Sequence, residues 1–340
     1  MFADLGSFFA ASDDVTWVST ATAMYRTEDT GRTWRAVQPA GWSSTGMTTF
    51  VDADTAYFST GGRPAAIYAT HDGGSSWTRT SVDAGADVIW PTFSFQTPTS
   101  GFATFVDPAR DDAPAGTGLL VFATTDGGVT WTGPMPGVQP HLDASMNKLE
   151  PANGAFLVHS AGKGSFAFEN WFFVSADGGV TWTRYAFPTG KLAPKNVMKG
   201  VGEILREANG HLLISLGVQS SGSPIPEAIY ESGNDTSTWR LVSEAPPGDM
   251  SVQLLSDTTW VLTGPDEIRT TTDAGAHWTS LVPPASLFYE QPSLQFATLR
   301  TGWATLECQH VKGHDCGTNP RAIVLFVTTD SGATWTPIGG

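Results

Sequence analysis

Short runs of alternating apolar and polar residues follow one another along the whole chain, and they come in groups of four. One group consists of Met47–Val51, Thr55–Thr60, Ala66–Thr70 and Ser76–Val82. Such runs, bounded by Gly, Pro, Asn and Asp, are typical of β-strands joined by tight turns. Two further groups show the same order: 91–97, 101–106, 119–124 and 130–134, then 294–299, 302–307, 322–328 and 334–338. The pattern predicts four-stranded antiparallel units.

An eight-residue motif, Ser/Thr-x-Asp-x-Gly-x-Thr-Trp, precedes the last strand of each group. It recurs at 27–34, 70–77, 124–131, 175–182, 271–278 and 328–335, and in a degenerate form at 232–239. The Asp carboxylate is expected to accept backbone N–H groups of a hairpin turn in which Gly takes a positive φ. The Trp is expected to fill the gap beside the next unit. The structural acidic position is held by Asp29, Asp72, Asp126, Asp177, Asn234, Asp273 and Asp330.

These repeats predict an all-β fold, a seven-bladed β-propeller with four antiparallel strands per blade. The motif lies in the turn between strands three and four. Residues 1–340 form a single domain, with blades at approximately 3–38, 46–82, 90–134, 146–187, 202–245, 249–282 and 292–340. The first blade begins with its innermost strand and the last ends with its outermost. No strand exchange between the termini is therefore expected to close the ring, and the seam is predicted to be its weakest junction.

The motifs and the strands before them resemble the Asp-box, or BNR-repeat, superfamily, and most of all its photosystem II assembly-factor-like branch. The match includes Phe50-Val-Asp52, Phe95 with Gly101-Phe102, and Gly302-Trp303. The resemblance covers the chain and implies a sialidase-like fold. It implies no single activity, because the superfamily includes sialidases, xyloglucan-degrading endoglucanases, sortilin-type receptors and assembly factors. The Phe/Tyr-Arg-Ile-Pro motif of the sialidases is absent, so sialidase activity is disfavoured.

The amino-acid composition excludes some classes of binding partner. Eighteen basic residues against 33 acidic ones give a net charge of −15, which opposes binding to nucleic acid or to anionic lipid. The longest apolar runs have the length of strands, so no insertion into a membrane is expected. Few lysines and a close cysteine pair favour an extracellular or periplasmic protein whose signal peptide has been removed; the cytoplasm is the alternative. We expect a monomer.

A site is predicted on the rim opposite the motif turns, because the long loops fall there. Candidate catalytic carboxylates beside these loops are Asp107, Glu150, Glu203, Asp249, Glu290 and Glu307. Two of them across the channel mouth can serve as the acid and base of a glycosidase. The alternatives are a solvated acidic rim and a divalent cation site. No other cofactor is implied.

Aromatic residues near the same loops are candidates for stacking on sugar rings: Trp42, Trp90 and Trp171. Arg63, His141 and His159 are possible hydrogen-bond donors beside them. Packing between blades is an equal alternative for Trp42 and Trp90, and is favoured for Trp171. Trp17, Trp260 and Trp303 fall in second strands and are predicted to lie in the core.

The segment from Cys308 to Cys316 also contains His310 and His314, four potential zinc ligands within a short loop. So short a loop is poorly suited to wrapping a tetrahedral ion. A disulfide between Cys308 and Cys316 is therefore preferred, and no metal site is assigned.

Two hypotheses of function follow. The first is a secreted propeller that binds or hydrolyses a carbohydrate at the loop-rich rim. The second is a non-catalytic scaffold or assembly factor that binds a protein at that rim. Whether the protein is an enzyme is left open; an enzyme would resemble a glycoside hydrolase.

Overall fold

The computed structural model describes part of the chain. The described residues are 2, 4–43, 46–85, 87–95, 99–107, 119–134, 149–152, 155–159, 171–175, 183–186, 198–206, 211–219, 228–233, 238–246, 251–264, 267–281, 293–311, 316, 319 and 321–338. In several strands, mainly between residues 149 and 219, only the backbone is described.

The described strands form small antiparallel sheets, each from consecutive strands of the chain. The first strands of the sheets are β1 (Leu5–Ala10), β5 (Met47–Phe50), β9 (Ile89–Phe95), β12 (Leu149–Ala152), β16 (Met198–Arg206), β20 (Ser251–Leu254) and β24 (Ser293–Phe296). The second strands are β2 (Thr16–Thr20), β6 (Ala56–Gly62), β10 (Gly101–Val106), β13 (Ala155–His159), β17 (Leu212–Gln219), β21 (Trp260–Thr263) and β25 (Gly302–Glu307).

The third strands end at the motif turns, and the fourth strands follow those turns. The third strands are β3 (Met24–Thr27), β7 (Ala65–Thr70), β11 (Leu119–Thr124), β14 (Trp171–Ser175), β18 (Ala228–Ser232), β22 (Ile268–Thr271) and β26 (Ile323–Thr328). The fourth strands are β4 (Arg35–Ala36), β8 (Thr78–Val82), β15 (Thr183–Ala186), β19 (Trp239–Glu244), β23 (Thr279–Leu281) and β27 (Thr336–Ile338). A short 3-10 helix, Cys308–His310, follows β25.

First strands of adjacent sheets contact one another: β1 with β24, β5 with β9, β9 with β12, and β16 with β20. The sheets are therefore arranged as the blades of a propeller, with the first strands innermost. The predicted all-β propeller architecture is confirmed.

The prediction of seven blades with four strands in every blade is wrong. Six of the sheets have four strands, whereas the sheet of β9, β10 and β11 has three. In place of the predicted strand at 130–134, an isolated bridge joins Ala123 to Thr132. Pro134 follows two residues later and has no backbone N–H to donate, so the ladder ends at the bridge.

The core lies between adjacent sheets. Trp17, Trp260 and Trp303 are all 0 % exposed, as predicted for core positions in second strands. Five Trp residues of the described motif turns are only half-buried, and they pack against the preceding blade instead of the next one: Trp34, Trp77, Trp131, Trp278 and Trp335. Trp77 lies against a cluster of the first blade and donates its indole N–H to the carbonyl of Val37, at 2.7 Å. The predicted direction of this contact is therefore corrected.

Arg26 connects the first two blades through a buried guanidinium. It lies at the end of β3, and its side chain is 6 % exposed. Its Nε donates to the carbonyl of Ala53 at 2.9 Å, and its terminal nitrogens pair with Asp54, at 3.1 Å, and with Glu28. The same group lies over the ring of Trp17, 5.3 Å from its centroid. One cation thus holds the turn between β5 and β6 against β3.

The seam between the last and first blades contains a buried apolar core. The first and last strands each remain in the sheet of their chain neighbours. A buried cluster crosses the seam: Phe2, Ala10, Val18, Trp303, Leu325 and Val327. At the turn side, Thr298 Oγ1 lies 2.5 Å from Asp13 Oδ1. This hydrogen bond is the largest cause of the lowered pKa of Asp13.

Candidate functional site

A pocket of about 510 Å³ lies among the innermost strands. Its lining comes from the beginnings of β1, β20 and β24 and from β21, β25 and β26: Leu5, Gly6, Ser7, Phe8, Ser251, Val252, Gln253, Thr263, Ser293, Leu294, Gln295, Thr305 and Ile323. First and third strands run in the same direction, and third strands end at the motif turns. The beginnings of the first strands therefore lie on the opposite rim, and the cavity is named the channel-mouth pocket.

The residues of the channel-mouth pocket that the structure describes are neutral. They contribute hydroxyl, amide and aliphatic side chains and one aromatic ring, that of Phe8, and none of these described residues is a carboxylate, a cation or a Trp. The Ser7 hydroxyl is used within the blade, because it lies 2.7 Å from Ser19 Oγ. The hydroxyls of Ser251, Ser293 and Thr305 make no hydrogen bond to any residue that the structure describes. Within the described part of the chain, these three hydroxyls therefore face the pocket without a protein partner.

Two glutamines of the lining fasten one inner strand to the next. Gln253 of β20 accepts from the backbone N–H of Phe296 and donates to its carbonyl, each at 2.7 Å. Gln295 of β24 accepts from the backbone N–H of Ala10, at 2.8 Å. Each amide satisfies a backbone group on the open edge of the next first strand. These contacts, named the glutamine clasps, form the wall of the pocket.

The motif turns lie at the other end of the blades, and each described Asp of these turns accepts hydrogen bonds from a Thr hydroxyl two residues before it and a backbone N–H four residues after it. In the turn at 70–77, Asp72 accepts from Ser76 N at 2.9 Å, Ser76 Oγ at 2.6 Å and Thr70 Oγ1 at 2.9 Å. The Ser76 hydroxyl is the main cause that lowers the pKa of Asp72 to about 2. The carboxylate is ionised and fully engaged in the turn, so its role is structural.

Asp29, Asp126, Asp273 and Asp330 occupy the same position in their turns, and their pKa values are lowered in the same way. For Asp273 the backbone N–H of His277 is the largest cause, and its pKa falls to about 2. Asp177 and Asn234 lie outside the described residues. The motif is thus a turn-building device on the side away from the pocket.

The two predicted catalytic carboxylates that the structure describes with side-chain contacts or exposure, Asp107 and Glu307, are not among the residues that line the channel-mouth pocket. Asp107, directly after β10, is 4 % exposed. Glu307, at the end of β25, accepts a hydrogen bond from Gln309 at 2.7 Å and lies 3.9 Å from His310 Nε2. Glu150 and Glu203 stand in β12 and β16, where only the backbone is described. Asp249 and Glu290 lie outside the described residues. A carboxylate pair therefore stays a prediction.

The predicted ligand-binding residues are also separate from this pocket where they are described. Trp42 is half-buried and stacks on Phe58, with ring centroids 4.7 Å apart, which is the packing alternative. Arg63 is exposed, and its Nε lies 4.0 Å from Asp83 Oδ1. Trp90, His159 and Trp171 stand in β9, β13 and β14 without described side chains, and His141 lies outside the described residues.

The predicted disulfide is confirmed. Cys308 and Cys316 are bonded, with Cα atoms 5.7 Å apart, so neither thiolate is available to zinc. Cys308 is 2 % exposed and packs in the core of the last blade. Among the residues that the structure describes, no group of three or more His, Cys, Asp or Glu could hold a metal ion. A cation at the acidic rim remains an untested prediction.

Sequence reasoning missed the polar residues of the inner strands. Ser251-Val-Gln253 and Ser293-Leu-Gln295 occupy the same three positions at the start of β20 and β24. This repeated Ser-x-Gln was the available signal, since a Gln recurring at one position of an inner strand indicates a partner in the next blade. The prediction instead followed charged and aromatic residues in the long loops.

The fold and the pocket define a β-propeller whose channel-mouth pocket is lined, among the described residues, by neutral polar and aliphatic side chains. No family model matches the sequence. No curated protein matches it either. Among the described residues, no helix is long and apolar enough to cross a membrane.

Solved structures similar to this chain are propellers of different activities. A structure of YCF48 bound to a D1 peptide is 14 % identical, with a TM-score of 0.53 over 97 % of this chain and 94 % of that one. The GH74 xyloglucanase from Xanthomonas campestris is 14 % identical, with a TM-score of 0.55 over 98 % of this chain but 53 % of the enzyme. A prolyl endopeptidase gives 12 % identity and a TM-score of 0.54, over 98 % and 49 %. These similarities establish the propeller fold alone.

Proposed function

We propose that the protein is a non-catalytic binding propeller that holds an extended segment of a partner protein in the channel-mouth pocket. The observation that carries the proposal is the set of described lining residues, which present neutral hydroxyl and amide groups between the open edges of β1, β20 and β24. Edge strands offer backbone groups to an extended chain, and hydroxyls and amides complement peptide bonds. A neutral wall requires no ion pair in the partner segment.

The absence of carboxylates from the described lining supports binding without hydrolysis. A glycosidase needs two carboxyl groups on either side of the scissile bond. The described candidates, Asp107 and Glu307, are engaged elsewhere. YCF48, a propeller of closely similar length, binds a peptide, which is compatible with this use of the fold. The proposal itself rests on the pocket.

A neutral oligosaccharide is the second candidate for the same pocket. The hydroxyls of Ser251, Ser293 and Thr305 can hydrogen-bond to sugar hydroxyls, and Phe8 adds an aromatic surface. In either case we propose an exported protein, because the Cys308–Cys316 disulfide is typical of oxidising compartments, and a monomer.

The test is a selection of random decapeptides by display on the wild-type protein, run beside an array of neutral glycans. Two matched variants locate the binding: Ser293→Trp fills the pocket, and Val129→Trp adds the same side chain on the motif-turn side. Val129 is 49 % exposed there. We expect selected peptides to lose at least about tenfold in affinity for Ser293→Trp and to bind Val129→Trp as they bind wild type.

The oligosaccharide would replace the peptide as the proposed ligand if glycans bind wild type and lose affinity for Ser293→Trp while no peptide does so. Equal binding of every peptide and glycan to Ser293→Trp and wild type would remove both.

A further inference from the structure

We propose that Gln295 is the specificity-determining donor of the channel-mouth pocket, where its side-chain N–H group binds a main-chain carbonyl of the partner segment. The inference rests on the proposed function, because it names the hydrogen bond by which that pocket recognises its ligand. Three observations carry it: the forced orientation of the amide, a matched glutamine one blade earlier, and the neutral surroundings.

The orientation of the Gln295 amide is dictated by its clasp. The backbone N–H of Ala10 can only donate, and it lies 2.8 Å from the side-chain oxygen. The oxygen is therefore turned towards β1. Among the residues that the structure describes, the side-chain nitrogen of Gln295 has no acceptor. Since Gln295 lines the pocket and is half-buried, this nitrogen is left with two N–H groups for a ligand.

Gln253 shows what the same residue does when it is purely structural. It is the third residue of β20, as Gln295 is the third residue of β24. Its oxygen and nitrogen both bind the backbone of Phe296, each at 2.7 Å. At Gln295 only the oxygen is used in this way. Gln253 therefore uses both polar atoms of its amide to join two strands, whereas Gln295 uses only its oxygen and keeps a donor for a ligand.

The surroundings of Gln295 select a neutral acceptor. The hydroxyls of Ser293 and Thr305 lie in the same lining, and no cation is among the lining residues that the structure describes. A carboxylate entering this cavity would lose hydration without gaining a counter-ion, whereas a peptide carbonyl loses much less. Because β24 and β1 are edge strands, a segment lying along them would present a carbonyl at regular intervals.

The experiment compares two glutamate variants. Gln295→Glu keeps an oxygen for the Ala10 N–H and removes the donor. Gln253→Glu also keeps an oxygen for its N–H, but sets a carboxylate against the Phe296 carbonyl. The probe is the tightest-binding decapeptide from the selection above, labelled with fluorescein and measured by anisotropy. We expect Gln295→Glu to bind it about tenfold more weakly with little change in Tm. We expect Gln253→Glu to lower the Tm.

A scan of that decapeptide identifies the carbonyl. Each peptide bond in turn is replaced by an ester, whose carbonyl is a weaker acceptor. We expect one position at which the ester weakens binding to wild type but not to Gln295→Glu, because the lost hydrogen bond is already absent in the variant. If the affinity of Gln295→Glu equals that of wild type, or if no ester is coupled to it, the inference is overturned.

The same data keep the inference apart from the proposed function. If Ser293→Trp abolishes binding while Gln295→Glu leaves it unchanged, peptide binding in the pocket stands and the role of Gln295 falls. If Ser293→Trp also binds the decapeptide normally, the proposed function fails and the inference fails with it. Competition by cellotetraose, with no ester effect, would assign the donor to a sugar hydroxyl and overturn the carbonyl assignment.

Discussion

Individual residues of the motif turns stabilise the fold through a carboxylate that is saturated with hydrogen bonds. The Asp of each described copy binds a hydroxyl before it and a backbone N–H after it, as Asp29 does with Thr27 and Thr33 at 2.8 Å each. These carboxylates are conspicuous in the sequence, but they are committed to turn formation. Their protonation should therefore affect stability and not ligand binding.

Acid should destabilise the protein through these carboxylates. The pKa of Asp72 is about 2 in the folded state, against about 3.9 in an unfolded chain. A lowered pKa contributes stability that is present above about pH 4 and is lost as the pH falls towards 2. We expect Asp72→Asn to have a lower Tm than wild type at pH 7, and the difference to shrink between pH 4 and pH 2. Thermal denaturation followed by circular dichroism measures it.

Asp257→Asn removes an exposed carboxylate outside the motif turns and controls for the change in net charge. Parallel curves of Tm against pH for Asp72→Asn and wild type would show that the hydrogen bonds of this turn do not set the acid stability.

The fourth residue of the motif turn has a positive φ, which strains the backbone when that residue is not glycine. Ala274 has a φ of 55°, whereas the equivalent Gly73 has 67°. A left-handed conformation costs a residue with a side chain about 1–2 kcal/mol, and glycine costs about 0.5–1 kcal/mol in chain entropy. We expect Ala274→Gly to stabilise the protein by about 0.5–1 kcal/mol, measured by urea denaturation.

The reverse change, Gly73→Ala, should cost more than that difference. A Cβ at residue 73 would lie 2.8 Å from Cζ of the buried Arg26, in addition to the conformational strain. Equal and opposite effects of the two substitutions would show that packing against Arg26 is unimportant.

At the scale of strands and turns, a few polar contacts add to the apolar packing between blades. Among the described residues, Arg26 is a clear example, because its guanidinium binds one carbonyl and two carboxylates. We expect Arg26→Ala to destabilise the protein by about 2–3 kcal/mol, because a buried cation, its packing and its hydrogen bonds are lost together. Urea denaturation with an unchanged m-value would measure the loss.

Arg63→Ala is the matched control, because Arg63 is exposed and its Nε is 4.0 Å from Asp83. Such a surface pair should contribute less than about 0.5 kcal/mol. Similar losses in the two variants would refute the role given to burial at Arg26.

The strands themselves were largely predictable from the sequence, but their ends and the site were not. The predicted Met47–Val51 corresponds to β5 at Met47–Phe50, because a period of two residues is visible along the chain. The predicted strand at 130–134 is absent because Pro134 has no backbone N–H to donate. The prediction followed the regular repeat of four strands instead. The glutamine clasps depend on which blades are neighbours at the channel. Local patterns do not contain that information.

At the scale of the whole molecule, the ring closes through side chains alone. At every other junction the polypeptide itself joins one blade to the next. At the seam, packing around Trp303 and hydrogen bonds such as Ala10 N to Gln295 hold the blades together in the part of the chain that the structure describes. We expect amides of β1 and β24 to exchange earliest, as measured by hydrogen–deuterium exchange with mass spectrometry.

The substitution Phe2→Ala weakens the seam and so provides a second test by hydrogen–deuterium exchange. Phe2 is 5 % exposed, and its ring lies 5.0 Å from Trp34 and 5.4 Å from Tyr25. Its removal should speed exchange in β1 and β24 while β5–β8 remain protected. Uniform protection around the ring in wild type, or a uniform increase in the variant, would argue against a distinct seam.

Phe2 and Ile338 pack against the same seam cluster, so the two ends of the described chain meet. A short linker could join them, and new ends could be opened at Gly85, an exposed turn residue whose added Cβ would touch nothing within 4 Å. The circular permutant would keep the hydrophobic contacts and clasps of the described chain and would only relocate the one junction without a covalent connection. In this molecule the order of the blades along the chain and their order around the channel are therefore expected to be separable.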